Sequence, residues 1–100
     1  MQHIKAIIVE DEPYNRQLLL AKLEQFYPQI RIVDACSNGQ EALLLVKKYN
    51  PELVFLDIEM PVMNGFEFLK QYGPHDFEVI FVTSYDKYAL QAIKFSALDF

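Results

Sequence analysis

The sequence has one cysteine, three glycines and fewer basic than acidic residues. Cys36 alone cannot form an intramolecular disulfide and makes a cysteine-built zinc site a poor reading, which fits a reducing compartment. No apolar run approaches the roughly 18 residues that a membrane helix needs. Met1 to Lys5 has neither the charged start nor the cleavage site of a signal peptide. The chain is therefore expected to be cytoplasmic, with no membrane partner. Nine Lys and Arg against 14 Asp and Glu leave a net charge of −5, and no basic run offsets it. Such a surface repels nucleic-acid phosphates, so direct nucleic-acid binding is not expected. There is no internal repeat, low-complexity segment or linker.

With 52% apolar residues in 100 positions, the chain can bury one core and is too apolar for disorder. Its length fits one domain, residues 1–100. Ile4 to Val9 reads as a buried strand, broken by Glu10-Asp11-Glu12; Glu12 is a first-turn acid favoured by the helix dipole. Pro13 suits the first turn of a helix whose apolar face is Tyr14, Leu18, Leu19, Ala21, Leu23 and Phe26. Ile30 to Ala35 is a second strand. Asn38 is a good N-cap, with Glu41 placed for a capping box, and that helix runs to Tyr49. Leu53 to Leu56 is a third strand, Phe66 to Tyr72 a short helix, and Val79 to Val82 a fourth strand. Asp86 to Phe95 reads as a fourth helix and Ala97 to Phe100 as the start of a fifth strand. Strands and helices that alternate, with short continuous apolar strands, predict a doubly wound parallel α/β sheet.

In open parallel sheets the functional site lies beyond the carboxyl ends of the strands. The first strand runs into Glu10-Asp11, the third into Asp57 and the fourth into Thr83-Ser84. Taken singly, an acidic residue at a strand end is usually a solvated loop residue or a cap. The joint pattern on different strand ends is what points to a site. Clustered carboxylates repel and raise one another's pKa. A hard cation such as Mg2+ relieves this while leaving positions for phosphate oxygens, and a carboxylate can itself be the nucleophile in phosphoryl transfer. The remaining features read as structural. Asn64-Gly65 serves a turn in which glycine permits positive φ, Cys36 is a small buried residue, His3 and His75 are exposed, and Phe66, Phe68 and Leu69 belong to the core.

Ile7-Ile8-Val9-Glu10-Asp11-Glu12-Pro13, the Asp-x-x-Met-Pro-x-Met-x-Gly stretch from Asp57 to Gly65, and Phe81-Val82-Thr83-Ser84 together resemble the receiver domain of bacterial two-component response regulators. Val82 to Leu90, with Ala97 to Phe100, is most similar to receivers of the LytTR-type regulators. The resemblance implies the flavodoxin-like strand order 2-1-3-4-5 and a Mg2+-dependent phosphorelay role without any further enzymatic activity. Asp57 would accept a phosphoryl group from a histidine kinase. Asp11 and Asp57 would hold the metal with the backbone carbonyl of Glu59, and Glu10, where the family more often has aspartate, would act through water. Thr83 would hydrogen-bond the phosphoryl group and Phe100 would be the aromatic switch. The output would be a DNA-binding domain outside these residues, serving transcription regulation.

The family also carries a lysine at the end of the fifth strand, then a fifth helix. Neither falls within residues 1–100, and Lys94, inside the expected fourth helix, does not replace that lysine. A truncated receiver is therefore expected, with the last strand and helix incomplete or absent. Alternate residues of Leu53–Leu56 and Val79–Val82 should then meet water, favouring a homodimer or marginal stability. Two other readings weigh less. A phosphorylation-independent interaction module would need none of Asp11, Asp57 and Thr83. An aspartate-nucleophile hydrolase would carry Asp-x-Asp after its first strand, where this chain has Glu10-Asp11-Glu12.

Overall fold

The structure, a computed structural model, describes residues 3–82. Strand β1 (Ile4–Val9) is followed by α1 (Pro13–Phe26), β2 (Ile30–Cys36), α2 (Gly39–Tyr49), β3 (Leu53–Leu56), α3 (Gly65–Tyr72) and β4 (Glu78–Phe81). The strands form one parallel four-stranded sheet in the order β2-β1-β3-β4. This is the doubly wound, flavodoxin-like order expected for the described strands. The expected fourth helix, the start of the fifth strand, Thr83, Ser84, Lys94 and Phe100 lie outside the described residues.

Side chains alternate across a strand, and β1 distributes its residues accordingly. Ile7 and Val9 point into a core with Ala42 and Val46 of α2 and Phe68 and Leu69 of α3. Ala6 and Ile8 point into the opposite core with Leu23, against which Leu19 and Leu20 of α1 pack. Helices thus cover both faces, and β1 and β3 are buried throughout their central residues because both of their faces are dry. Phe68 anchors the larger core beside Tyr72 and Phe77. Among the described residues no helix is long and apolar enough to cross a membrane.

Several local expectations change. The buried face of α1 is Leu19, Leu20 and Leu23, whereas Tyr14, Leu18 and Phe26 are exposed. Leu19 and Leu23 of the expected face do meet the sheet, and Leu20 joins them beside Ala6 and Ile8. Glu12 is the N-cap of α1, its carboxylate accepting from the Tyr14 N–H at 3.5 Å, and is not a first-turn acid. Asn38 caps α2 as expected, but Glu41 returns its bond to the Ser37 N–H instead of to Asn38. The reciprocal capping box belongs to α3, between Asn64 and Glu67. His75 is half-buried, stacked on Phe77 with ring centroids 4.3 Å apart. Cys36 is buried, as expected, and burial pushes its thiol up to about 12. Leu53 and Phe55, expected to meet water, are buried, while Ile80 and Val82 are half-buried. Leu19, Leu20 and Leu23 of α1 share one cluster with them on this face.

Candidate functional site

Register explains why the carboxylates meet. Val9 is paired directly with Leu56 across β1 and β3, so the next residue of each strand, Glu10 and Asp57, emerges side by side at the carboxyl edge. The Asp57 N–H donates to the Val9 carbonyl at 2.8 Å, and the Glu10 N–H donates to the Cys36 carbonyl at 2.9 Å, which extends both ladders by one step. Asp11 follows in the turn before α1. Oxygens of Glu10, Asp11 and Asp57 lie within 4.8 Å of one another. Glu10 and Asp57 are buried, Asp11 is half-buried, and Glu59 is exposed. The Glu12 N–H donates to Glu10 Oε2 at 3.0 Å, and the Glu59 N–H donates to Asp57 Oδ1 at 3.3 Å.

Burial, then the Glu10 carboxyl beside it, pushes Asp57 up to about 8. Burial likewise raises Glu10. Two adjacent buried carboxyls cannot both ionise without compensation, so the pair holds a proton well into the neutral range when no cation is near. Oxygen donors of this kind, close together and partly buried, fit a hard divalent cation. Among the residues expected to be metal ligands, Glu10, Asp11 and Asp57 are brought together. Glu59 stands two residues beyond Asp57, linked to it through its amide. Thr83 and Phe100 lie outside the described residues, although the Val82 N–H donates to the Leu56 carbonyl at 3.0 Å and carries β4 to the same edge.

The loop from Ile58 to Asn64 differs from its expected form. Gly65 does not take a positive φ. It stands where a Cβ would come within 2.5 Å of the Asp57 carbonyl and 3.1 Å of Ile58 Cα, and its N–H donates to the Ile58 carbonyl at 2.9 Å. Close approach to the Asp57 backbone is the reason for glycine here. The positive φ falls on Val62, at 69°, where the Met63 N–H closes on the Pro61 carbonyl at 2.7 Å. This is a γ-turn of the rare hand on a β-branched residue, a conformation that costs on the order of 1–3 kcal/mol. Sequence reading also missed Arg16, whose Nη1 donates to the Glu10 carbonyl at 2.8 Å. An arginine one turn into α1 carries no local signal of that bond.

A parallel doubly wound sheet with a largely buried carboxylate cluster at its carboxyl edge defines a small flavodoxin-like α/β domain with a candidate cation site. The comparisons identify it. Residues 6–100 match the response regulator receiver domain, and the chain belongs to that family, and with it to two-component signalling. Transcriptional regulatory protein BtsR of Escherichia coli is 39% identical over 98 residues, covering 97% of this chain and 41% of that protein. Among solved structures, the response regulator domain of Thermotoga maritima CheB superposes with a TM-score of 0.84 at 27% identity, over 99% of this chain and 77% of that one. A chain in the complex of the P1 domain of CheA3 with CheY6 from R. sphaeroides superposes with a TM-score of 0.81 at 28% identity, over 99% and 81%. This chain spans about two fifths of the length of the curated relatives it matches.

Proposed function

We propose that Asp57 accepts a phosphoryl group from a phosphohistidine of a partner histidine kinase. The observation that carries this reading is the meeting of Glu10, Asp11 and Asp57 within 4.8 Å on a receiver fold. An Asp57 carboxylate oxygen attacks phosphorus, the P–N bond of the phosphohistidine breaks, and its electron pair returns to the imidazole. The product is an acyl phosphate on Asp57. Asp11, Asp57 and the Glu59 carbonyl would hold Mg2+, with Glu10 acting through water. The cation would offset charge on the carboxylates and on the phosphoryl oxygens. By the family resemblance, Thr83 bonds the phosphoryl group and Phe100 acts as the switch.

Residues 1–100 act in this reading as one cytoplasmic receiver domain that catalyses only its own phosphoryl transfer and dephosphorylation. The CheA3–CheY6 complex supports a protein partner at this kind of domain. The name of BtsR supports an output in transcription, which the LytTR resemblance would assign to a DNA-binding domain. Incubation with acetyl phosphate and Mg2+, followed by intact-mass measurement, tests the assignment. A version that carries the family lysine should gain one phosphoryl mass, and its Asp57→Asn variant none. Labelling that persists in Asp57→Asn would show that another residue is the acceptor.

A further inference from the structure

The acidic site is braced by a segment that supplies none of its carboxylates. Ser37 to Gly39, between β2 and α2, lies against both loops that carry them. On one side Arg16 Nη1 donates to the Glu10 carbonyl at 2.8 Å and reaches Ser37 Oγ at 3.5 Å. On the other side the Gly39 N–H donates to the Met63 carbonyl at 2.9 Å. Gly39 is buried, and a Cβ there would come 2.6 Å from Met63 Cγ, 2.8 Å from Met63 O and 2.9 Å from Met63 Cβ. One of those atoms is backbone, so no side chain fits unless the loop moves.

The loop under this contact is strained. Val62 holds a φ of 69° while its side chain is exposed, so its own packing does not impose that conformation. Such a conformation persists only where its surroundings over-determine it. The bonds available to do so flank it: Met63 N–H to Pro61 O, Gly39 N–H to Met63 O, and Gly65 N–H to Ile58 O. The middle one ties the loop to α2, and the last ties it to the first residue of α3.

We infer that Gly39 is a positioning residue for the acidic site. Its contact with Met63 holds the Ile58–Asn64 loop, and with it the Glu59 carbonyl and the Asp57 carboxylate, in register with Asp11. Displacement of the first turn of α2 therefore alters metal affinity at a site to which α2 supplies no carboxylate. The inference rests on reading the carboxylate cluster as a Mg2+ site and adds α2 to the groups that govern it. A purely structural role for Gly39 would lower stability on substitution and leave the Mg2+ affinity of the folded protein unchanged.

Coupling between two sites is reciprocal, so the native chain provides the first test. In a Mg2+ titration followed by amide NMR, the Gly39 and Met63 signals should shift together with those of Asp11 and Glu59, and Gly39 exchange should slow. Gly39→Ala should weaken Mg2+ affinity by about fivefold or more and displace the Asp57 and Glu59 amide signals even without metal. Gln40→Ala, an exposed neighbour on α2, should change neither. The inference is overturned if Asp11 and Glu59 respond to Mg2+ while Gly39 and Met63 stay fixed. It is equally overturned if folded Gly39→Ala binds Mg2+ within about twofold of the native chain. A titration that moves no amide signal overturns the Mg2+ reading itself, and this inference with it. Should Gly39→Ala fail to fold, the native titration decides alone.

Discussion

At the residue scale the site is governed by how little room surrounds Asp57. Its carboxyl is buried beside Glu10, and its backbone is pressed against Gly65. A methyl group at position 65 would meet the Asp57 carbonyl and Ile58 Cα, both backbone atoms, so the neighbours cannot yield by rotating a side chain. Overpacking of this kind costs about 1–3 kcal/mol. Gly65→Ala should therefore lower the urea midpoint by a corresponding amount and shift the Asp57 amide resonance. Unchanged stability together with an unmoved Asp57 signal would show that the loop has slack at this point. The same crowding explains why the glycine is needed although its φ is ordinary.

At the scale of elements, the loops that form the site are set by helix starts. Asn64 accepts from the Glu67 N–H at 2.9 Å, and Glu67 accepts from the Asn64 N–H at 2.9 Å, so the first turn of α3 is closed from both sides. That reciprocal cap fixes where the chain leaves the strained turn at Val62 and enters α3. Asn64→Ala should cost about 1 kcal/mol in a denaturant melt. Because the cap adjoins the Asp57 loop, amide exchange should rise across residues 59–65 before it rises in α2. A uniform loss of protection through the chain would instead mean that the cap supports global stability alone. In α1 the arrangement differs: Leu23 is its one buried residue, and Tyr14, Leu18 and Phe26 remain exposed.

At the scale of the whole molecule, the carboxylate cluster ties stability to pH. Asp57 is held at about 8, against an ordinary value of 3.8, by burial and by Glu10, which is itself raised. Between those two values the folded chain keeps a proton that the unfolded chain has released. Metal-free stability should consequently fall as pH climbs from about 4 towards 8, the slope following the difference in bound protons. Mg2+ binds the ionised carboxylates, so its stabilisation should grow over the same range. At ten times its dissociation constant it should add about 1.4 kcal/mol. Urea melts in EDTA and in Mg2+, at the two ends of that range, measure both effects. Asp57→Asn should flatten the metal-free slope. Equal midpoints at both pH values in EDTA would sink this account of the cluster.

Much of this protein follows from local patterning in its sequence. Short apolar strands alternating with amphipathic helices specify a parallel sheet, because only helices on both faces can dry such strands. Chain punctuation at Glu10-Asp11 and after Leu56 places acids at strand ends, and the carboxyl-edge rule turns that into a candidate site. Asn38 announced the start of α2. What the tertiary structure decided is what non-local neighbours impose. Pairing of Val9 with Leu56 brings Glu10 beside Asp57, and burial then raises both pKa values. The sheet kept Leu19 and Leu23 of the expected α1 face, added Leu20 and left Tyr14, Leu18 and Phe26 exposed, since the helical spacing of apolar residues alone does not say how far the stripe that meets Ala6 and Ile8 extends. The positive φ went to Val62 and not to Gly65, because contacts from Gly39 and from the Asp57 backbone outweigh the local preference of either residue. Spacing along a chain encodes periodicity and turn chemistry. The contacts that strain a loop or raise a pKa come from residues remote in sequence, and only folding brings them together.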